Sequence, residues 1–301
     1  MELYTVIDNL PSASENSEAA VSLAHEHGLC FFFSMDGKNY LVDTGASGSF
    51  IGNMEQMGLC GSEKVDAVFI SHGHNDHTGG LRGFLEQNTS APVYLHNTIM
   101  GNLFYSCRPK DGVREARNIG MEQALFAEYG SRFQETGSPT RITEKITLIP
   151  TSAAAGYPTP MGNGFLYCND FPDRFTHEVA ILVEYTPGKF AVISPCSHNG
   201  ILNILDVCSK WIEEENRCNM SGKGEIKYFI GGLHYVDYLI MGEGKKEAAS
   251  ITETANIIKE KYPFLKIFSG HCTCPAASDV LGRELGEQYS VFRTGSTIWM
   301  E

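Results

Sequence analysis

Four side chains able to bind a metal ion fall within six residues in the run Ser71-His72-Gly73-His74-Asn75-Asp76-His77-Thr78-Gly79-Gly80. Three imidazoles and a carboxylate are donor types that suit zinc and other first-row divalent ions. The run follows Val65-Asp66-Ala67-Val68-Phe69-Ile70, an apolar stretch that reads as a strand. His72 and His74 share a direction as that strand gives out. Asp76 and His77 occupy the turn after it, and a helix is expected over 78–87. The spacing offers two adjacent ions, one held mainly by His72 and His74, the other by Asp76 and His77. Ser71 has no Ser-His-Asp constellation in the sequence and reads as structural. The scattered glycines spell neither a phosphate loop nor a dinucleotide fingerprint, so ATP hydrolysis and nicotinamide chemistry have little support.

The bulk properties bound what such a cluster can serve. A chain of 301 residues, 42% hydrophobic, can hold one large core or two small ones. Its formal charge of -13, without a lysine- or arginine-rich block, opposes general nucleic-acid binding, although bound cations can reverse the field locally. The opening residues show no basic leader followed by an apolar run, and no apolar stretch approaches the roughly 20 residues that cross a bilayer. No membrane association is expected, and the expected location is cytoplasmic. The nine cysteines, at 30, 60, 107, 168, 196, 208, 218, 272 and 274, are odd in number and scattered. They read as buried small hydrophobes or thiols in a reducing compartment rather than as a disulfide framework. Cys272-Thr273-Cys274 lacks the second cysteine pair of a zinc ribbon.

Positioning the cluster requires a scaffold, and strands interleaved with helices supply one. Strands are expected at 3–7, 30–34, 39–42, 65–70 and 92–95, with helices over 48–57 and 78–87. Phe31-Phe32-Phe33 reads as sheet core, and Asp43-Thr44-Gly45 ends a strand where a carboxylate can reach the metal cleft or cap the next helix. The C-terminal half alternates again: strands at 179–185 and 190–194, a helix over 200–214, a strand at 226–230, a helix over 247–260, a strand at 265–269, a helix over 276–287 and a terminal strand near 291–299. Residues 98–140 interrupt the alternation and read as an insertion over the cleft rim. Arg108, Lys110, Arg114 and Arg117 form a local positive exception there, able to meet a phosphate or carboxylate. Residues 153–164, with two prolines and three glycines, read as a shaped loop at the pocket entrance. Nothing marks a flexible linker or a short-period repeat, so residues 1–301 are taken as one α/β domain. Periodicity alone leaves open whether this is a doubly wound sheet or two packed sheets.

The His72 cluster resembles the His-x-His-x-Asp-His signature of the metallo-beta-lactamase fold superfamily. With Glu26-His27-Gly28, Asp43-Thr44-Gly45, Cys196-Ser197-His198, Gly231-Gly232-Leu233-His234 and Gly270-His271-Cys272-Thr273 in the same order, the chain is similar to the 7,8-dihydropterin-6-methyl-4-(beta-D-ribofuranosyl)-aminobenzene-5'-phosphate synthase-like branch. The resemblance implies a four-layer αββα sandwich with its metal cleft at one sheet edge. It adds His198 and His271, each after an apolar strand, to give six ligands: His72, His74, Asp76, His77, His198 and His271. It draws His27 toward the pocket against a weak H-x-H spacing, and it favours Glu178 at the site edge, with His177 as an alternative ligand. His234 is read as a substrate contact or acid–base residue, in a segment where Leu233 replaces the branch's common aromatic. Cys274 stands where the branch commonly has glycine.

Two ions, zinc favoured and iron or manganese as alternatives, would activate water and stabilise charge on a leaving oxygen, with Asp76 orienting the nucleophile. The leading expectation is a dinuclear metal-dependent hydrolase of a small metabolite, phosphorylated or pterin-like. The alternatives are the branch's carbon–nitrogen bond-forming synthase reaction and a metal-containing small-molecule sensor. An oxygen-reducing diiron site lacks an appended flavin-binding segment. No obligate protein partner is expected, and a monomer is preferred.

Overall fold

Phe31, Phe32 and Phe33 point alternately to the two faces of one strand, and that alternation builds the layers. Phe31 and Phe33 pack with Val179, Ile181 and Val183 between two sheets. Phe32 packs with Phe50 and Phe84 under the helices of the other face. The same division recurs in the second sheet, where Ala180, Leu182 and Val192 join Leu205 and Ile258 beneath its own helices. The result is the expected four-layer αββα sandwich. The structure, a computed structural model, describes residues 1–13, 22–108, 115–152, 156–219, 224–236 and 244–301.

The first sheet has the order Thr297–Trp299, Glu2–Ile7, Cys30–Met35, Lys38–Val42, Ala67–Phe69, Val93–His96, Phe133–Thr136. The second runs Tyr289–Val291, Lys266–Ser269, Glu225–Ile230, Lys189–Ile193, Val179–Thr186, Ile146–Pro150, Thr140–Arg141. Each sheet is antiparallel in one half and parallel in the other. The parallel halves matter for the site, because parallel strands release their loops at a common edge. Helices Ser49–Gln56 and Leu81–Gln87 cover the first sheet, and Ile201–Asn219, Gly244–Lys261 and Pro275–Leu285 cover the second.

Two details differ from the sequence-based expectations. The continuous terminal strand near 291–299 is two strands, Tyr289–Val291 in the second sheet and Thr297–Trp299 in the first, with buried Phe292 between the sheets. The helix expected over 78–87 is broken at Gly79 and Gly80 into Asn75–Thr78 and Leu81–Gln87. Residues 22–28, on the approach to the Cys30–Met35 strand, are irregular. Within 98–140, Phe104–Ser106 and Arg117–Asn118 join Leu166–Cys168 and Phe171–Pro172 in a separate four-stranded sheet, whereas Phe133–Thr136 is an edge strand of the first sheet. Lys110, Arg114 and Ala153 to Ala155 lie outside the described residues. Among the described residues no helix is long and apolar enough to cross a membrane.

Candidate metal centre

The His72 cluster leaves the Ala67–Phe69 strand and is braced from beside by the loop after Lys38–Val42. Gly79 and Gly80 allow this: a Cβ at either would lie 2.1 Å from the Ala46 carbonyl oxygen or 2.2 Å from that of Thr44. Thr44 N–H donates to the His77 carbonyl, and Gly79 N–H to that of Gly45. Three other loops converge on the cluster, carrying His198 after Lys189–Ile193, His234 after Glu225–Ile230 and His271 after Lys266–Ser269. Asp43, Ser197, His234 and His271 all have φ between 50° and 59°. Non-glycine residues are uncommon in this region, and such strain persists where the surroundings over-determine the backbone.

Two donor sets result. In the first, His72 Nε2 lies 3.1 Å from His74 Nδ1 and 3.3 Å from His198 Nε2. In the second, His77 Nε2 lies 3.0 Å from His271 Nε2, and Asp76 Oδ2 lies 3.7 Å and 3.4 Å from the two. Ligands at zinc–nitrogen bonds of about 2.0–2.1 Å in tetrahedral geometry sit about 3.3 Å apart, so the first set matches one ion.

The partners of the outward nitrogens fix which nitrogens turn inward. His77 Nδ1–H donates to Asp43 Oδ2 at 2.6 Å. Ser71 Oγ donates to the same oxygen and accepts from His72 Nδ1–H. His198 Nδ1–H donates to Asn163 Oδ1, and His271 Nδ1–H to Asn9 Oδ1. Four imidazoles are thus held with Nε2 facing inward, the arrangement by which outer partners fix ligand tautomers. His74 turns Nδ1 inward, and its buried Nε2 has no partner among the described residues.

Electrostatics separate the sets. Burial, reinforced by neighbouring imidazoles, drives His72 and His198 well below the usual histidine range, and burial takes His74 to about 3. These three are neutral at physiological pH, as ligation requires. Burial pushes the Asp76 carboxyl up, but His77, His271 and His27 outweigh it and hold the group well below the usual carboxylate range. Burial would likewise lower His271, yet the hydrogen bond to Asp76, with Cys272 and Asp8, raises it to about 9.

The remaining sequence candidates take distinct places. His27 is exposed at the rim with Nε2 3.4 Å from Asp76 Oδ2, so it can join the second set. His177 uses both nitrogens, accepting from Gly73 N–H and donating to Asp173, which leaves it no donor for an ion. Glu178 lies beneath the site rather than at its edge. It accepts from His198 N–H, Asn199 N–H, Asn199 Nδ2 and Thr151 Oγ1. His234 Nε2 accepts from Arg108 Nη2 at 2.7 Å, while Nδ1 faces Cys196 Sγ at 3.5 Å. Sequence reasoning gave no individual site role to Asp8, Asn9, Asn163 or Cys196. The first two directly follow the Glu2–Ile7 strand, a position from which polar side chains reach the cleft, and Asp8 Oδ1 accepts from His271 N–H. Cys196 Sγ lies within 4.8 Å of donor atoms of His72 and His77.

A cleft of about 800 Å³ reaches both sets, lined by His74, Asp76 and His271 together with Arg108, Arg117 and His234.

The profile of the metallo-beta-lactamase superfamily matches residues 25–153, which contain the His72 cluster. The chain is 24% identical over 291 residues to the 7,8-dihydropterin-6-methyl-4-(beta-D-ribofuranosyl)-aminobenzene-5'-phosphate synthase of Methanocaldococcus jannaschii, covering 91% of this chain and 90% of the relative. It is 29% identical over 176 residues to a UPF0173 metal-dependent hydrolase of Roseiflexus sp. (strain RS-1), covering 57% of this chain and 69% of that protein. The crystal structure of a metal-dependent hydrolase of the beta-lactamase superfamily aligns with a TM-score of 0.70 at 22% identity, covering 100% of this chain and 99% of that one. The motif block lies within the residues that the metallo-beta-lactamase superfamily profile matches, and the αββα layers are those of the fold this chain shares with that solved structure.

Proposed function

We propose that the chain is a metal-dependent hydrolase holding two divalent ions, zinc favoured and iron or manganese as alternatives, and acting on a small phosphorylated metabolite. One observation carries the reading: two convergent donor sets reach a single cleft, the first through His74 and the second through Asp76 and His271, and Arg108 and Arg117 line that same cleft. His72, His74 and His198 would hold one ion, and Asp76, His77 and His271 the other. Ions so held supply a nucleophile from water at neutral pH and polarise the reacting phosphoryl centre. Guanidinium groups suit a phosphate because their planar donors match its oxygens.

Asp76 anchors the second set and orients the attacking water. Burial lowers His234, so its imidazole is neutral and its Nε2 is an acceptor, occupied by Arg108. A substrate phosphate that engages Arg108 frees this nitrogen to contact the substrate or accept a proton. We expect a cytoplasmic monomer, which light scattering over a dilution series would test.

Similarity to the synthase over 91% of the chain supports a second reading, carbon–nitrogen bond formation on a pterin-bearing substrate. A matched assay of phosphoesters and the two synthase substrates separates them. Metal-dependent release of phosphate or alcohol is expected. Efficient coupling with little hydrolysis would replace the first reading with the second.

A further inference from the structure

The wall of the cleft holds two thiols that neither ligand set uses. Cys196 and Cys272 are 76 positions apart in sequence, yet their Sγ atoms lie 3.3 Å apart. Both are free, both line the cleft, and they are 3% and 8% exposed. The Cys272 sulfur is held from several sides. It accepts from His234 N–H at 3.3 Å, faces the Cys196 carbonyl oxygen at 3.6 Å and rests against Gly232, where a Cβ would come within 2.4 Å of it. A side chain at 232 would push this sulfur away, so the glycine keeps it beside Cys196.

We propose that Cys196 and Cys272 form an oxidisable dithiol that a small hydroperoxide entering the cleft converts to a disulfide. Hydrogen peroxide first oxidises the more exposed thiol, Cys272, to a sulfenic acid and leaves as one water. The Cys196 sulfur then attacks, the S–O bond breaks, the S–S bond forms and a second water departs. Two electrons from the thiols reduce the peroxide O–O bond, and both thiol protons end in water. The bond closes the sulfur gap by about 1.2 Å. It also joins the loops that deliver His198 and His271, the remote ligand of each donor set, so metal retention is coupled to the redox state of the pair.

The disulfide rests on the thiols alone, its coupling to metal retention rests on the ligand sets proposed above, and neither depends on whether the cleft hydrolyses phosphoesters. The test uses the full chain as purified, treated with graded hydrogen peroxide, then denatured, alkylated and digested. The expected product is a linked pair of peptides containing Cys196 and Cys272, lost on treatment with dithiothreitol, with a parallel fall in bound metal. The proposal is overturned if both cysteines remain alkylated at doses that oxidise others, or if each over-oxidises without linkage. In Cys272→Ser no linked peptide should form at Cys196; a new disulfide from Cys196 to another cysteine would show that the pairing is not built into the site.

Discussion

Asp43 holds a positive φ of 59° and has both carboxylate oxygens committed, Oδ1 to Ser71 N–H and Oδ2 to Ser71 Oγ and His77 Nδ1. Through Ser71 it orients His72 of the first set, and directly it orients His77 of the second. An amide at this position offers only one acceptor atom for these donors. Asp43→Asn is therefore expected to weaken both ions by about 10–100-fold, read by competition with a chromophoric chelator. Asn163→Ala removes only the partner of His198 and should weaken one ion; wild-type affinity at both positions in Asp43→Asn would refute this account. The two sets should also differ in pH dependence. His271 keeps a proton up to about 9 in the metal-free protein, so an ion entering its set at neutral pH must expel it. Affinity there should rise by about tenfold per pH unit from neutrality and flatten above about 9. The imidazoles of the first set are already neutral and should show no such slope. Calorimetry in buffers of different ionisation enthalpy measures the released proton, and equal release at both ions would contradict the assignment.

At the scale of elements, the site is a set of loops leaving parallel strands at one edge, and how legible each was depended on how local its partners are. The His72 cluster could be read because its four donors are adjacent in sequence. His198 and His271 required the family resemblance, since nothing local ties them to residue 72. Asn9 was invisible because its partner His271 is 262 positions away, and the strand near 291–299 looked continuous because apolar spacing does not reveal a change of sheet. Glu178 shows the same limit. The family resemblance favoured a site-edge residue, but burial and four donors make it the tether between the Val179–Thr186 strand and the His198 loop. Glu178→Ala strands the buried His198 and Asn199 N–H groups and should cost about 3 kcal/mol in denaturant unfolding of the metal-free chain. It should also deplete the first-set ion ahead of the second. A loss under about 1 kcal/mol, within the range of ordinary surface substitutions, would show that the loop is held by other contacts.

Across the whole molecule, each donor set spans the sandwich. His72, His74, Asp76 and His77 come from the first sheet, and His198 and His271 from the second, so an ion held by either set would bridge the two sheets at their shared edge. Such an ion binds the native arrangement and not the unfolded chain, which stabilises the fold by about 2.7 kcal/mol when free ion is at a hundred times its dissociation constant. Two ions together would contribute about 5 kcal/mol. At roughly 2–4 °C per kcal/mol for chains approaching this size, saturating metal should raise Tm by on the order of 10 °C over chelated protein. His198→Ala and His271→Ala should each remove about half of that gain, because each breaks one bridge and leaves the other. Metal content measured on the same samples separates a missing ion from a silent one. If His271→Ala retained two ions and the full rise in Tm, the second set would not join the sheets, and the link between this loop and the His72 cluster would have to be sought elsewhere in the cleft.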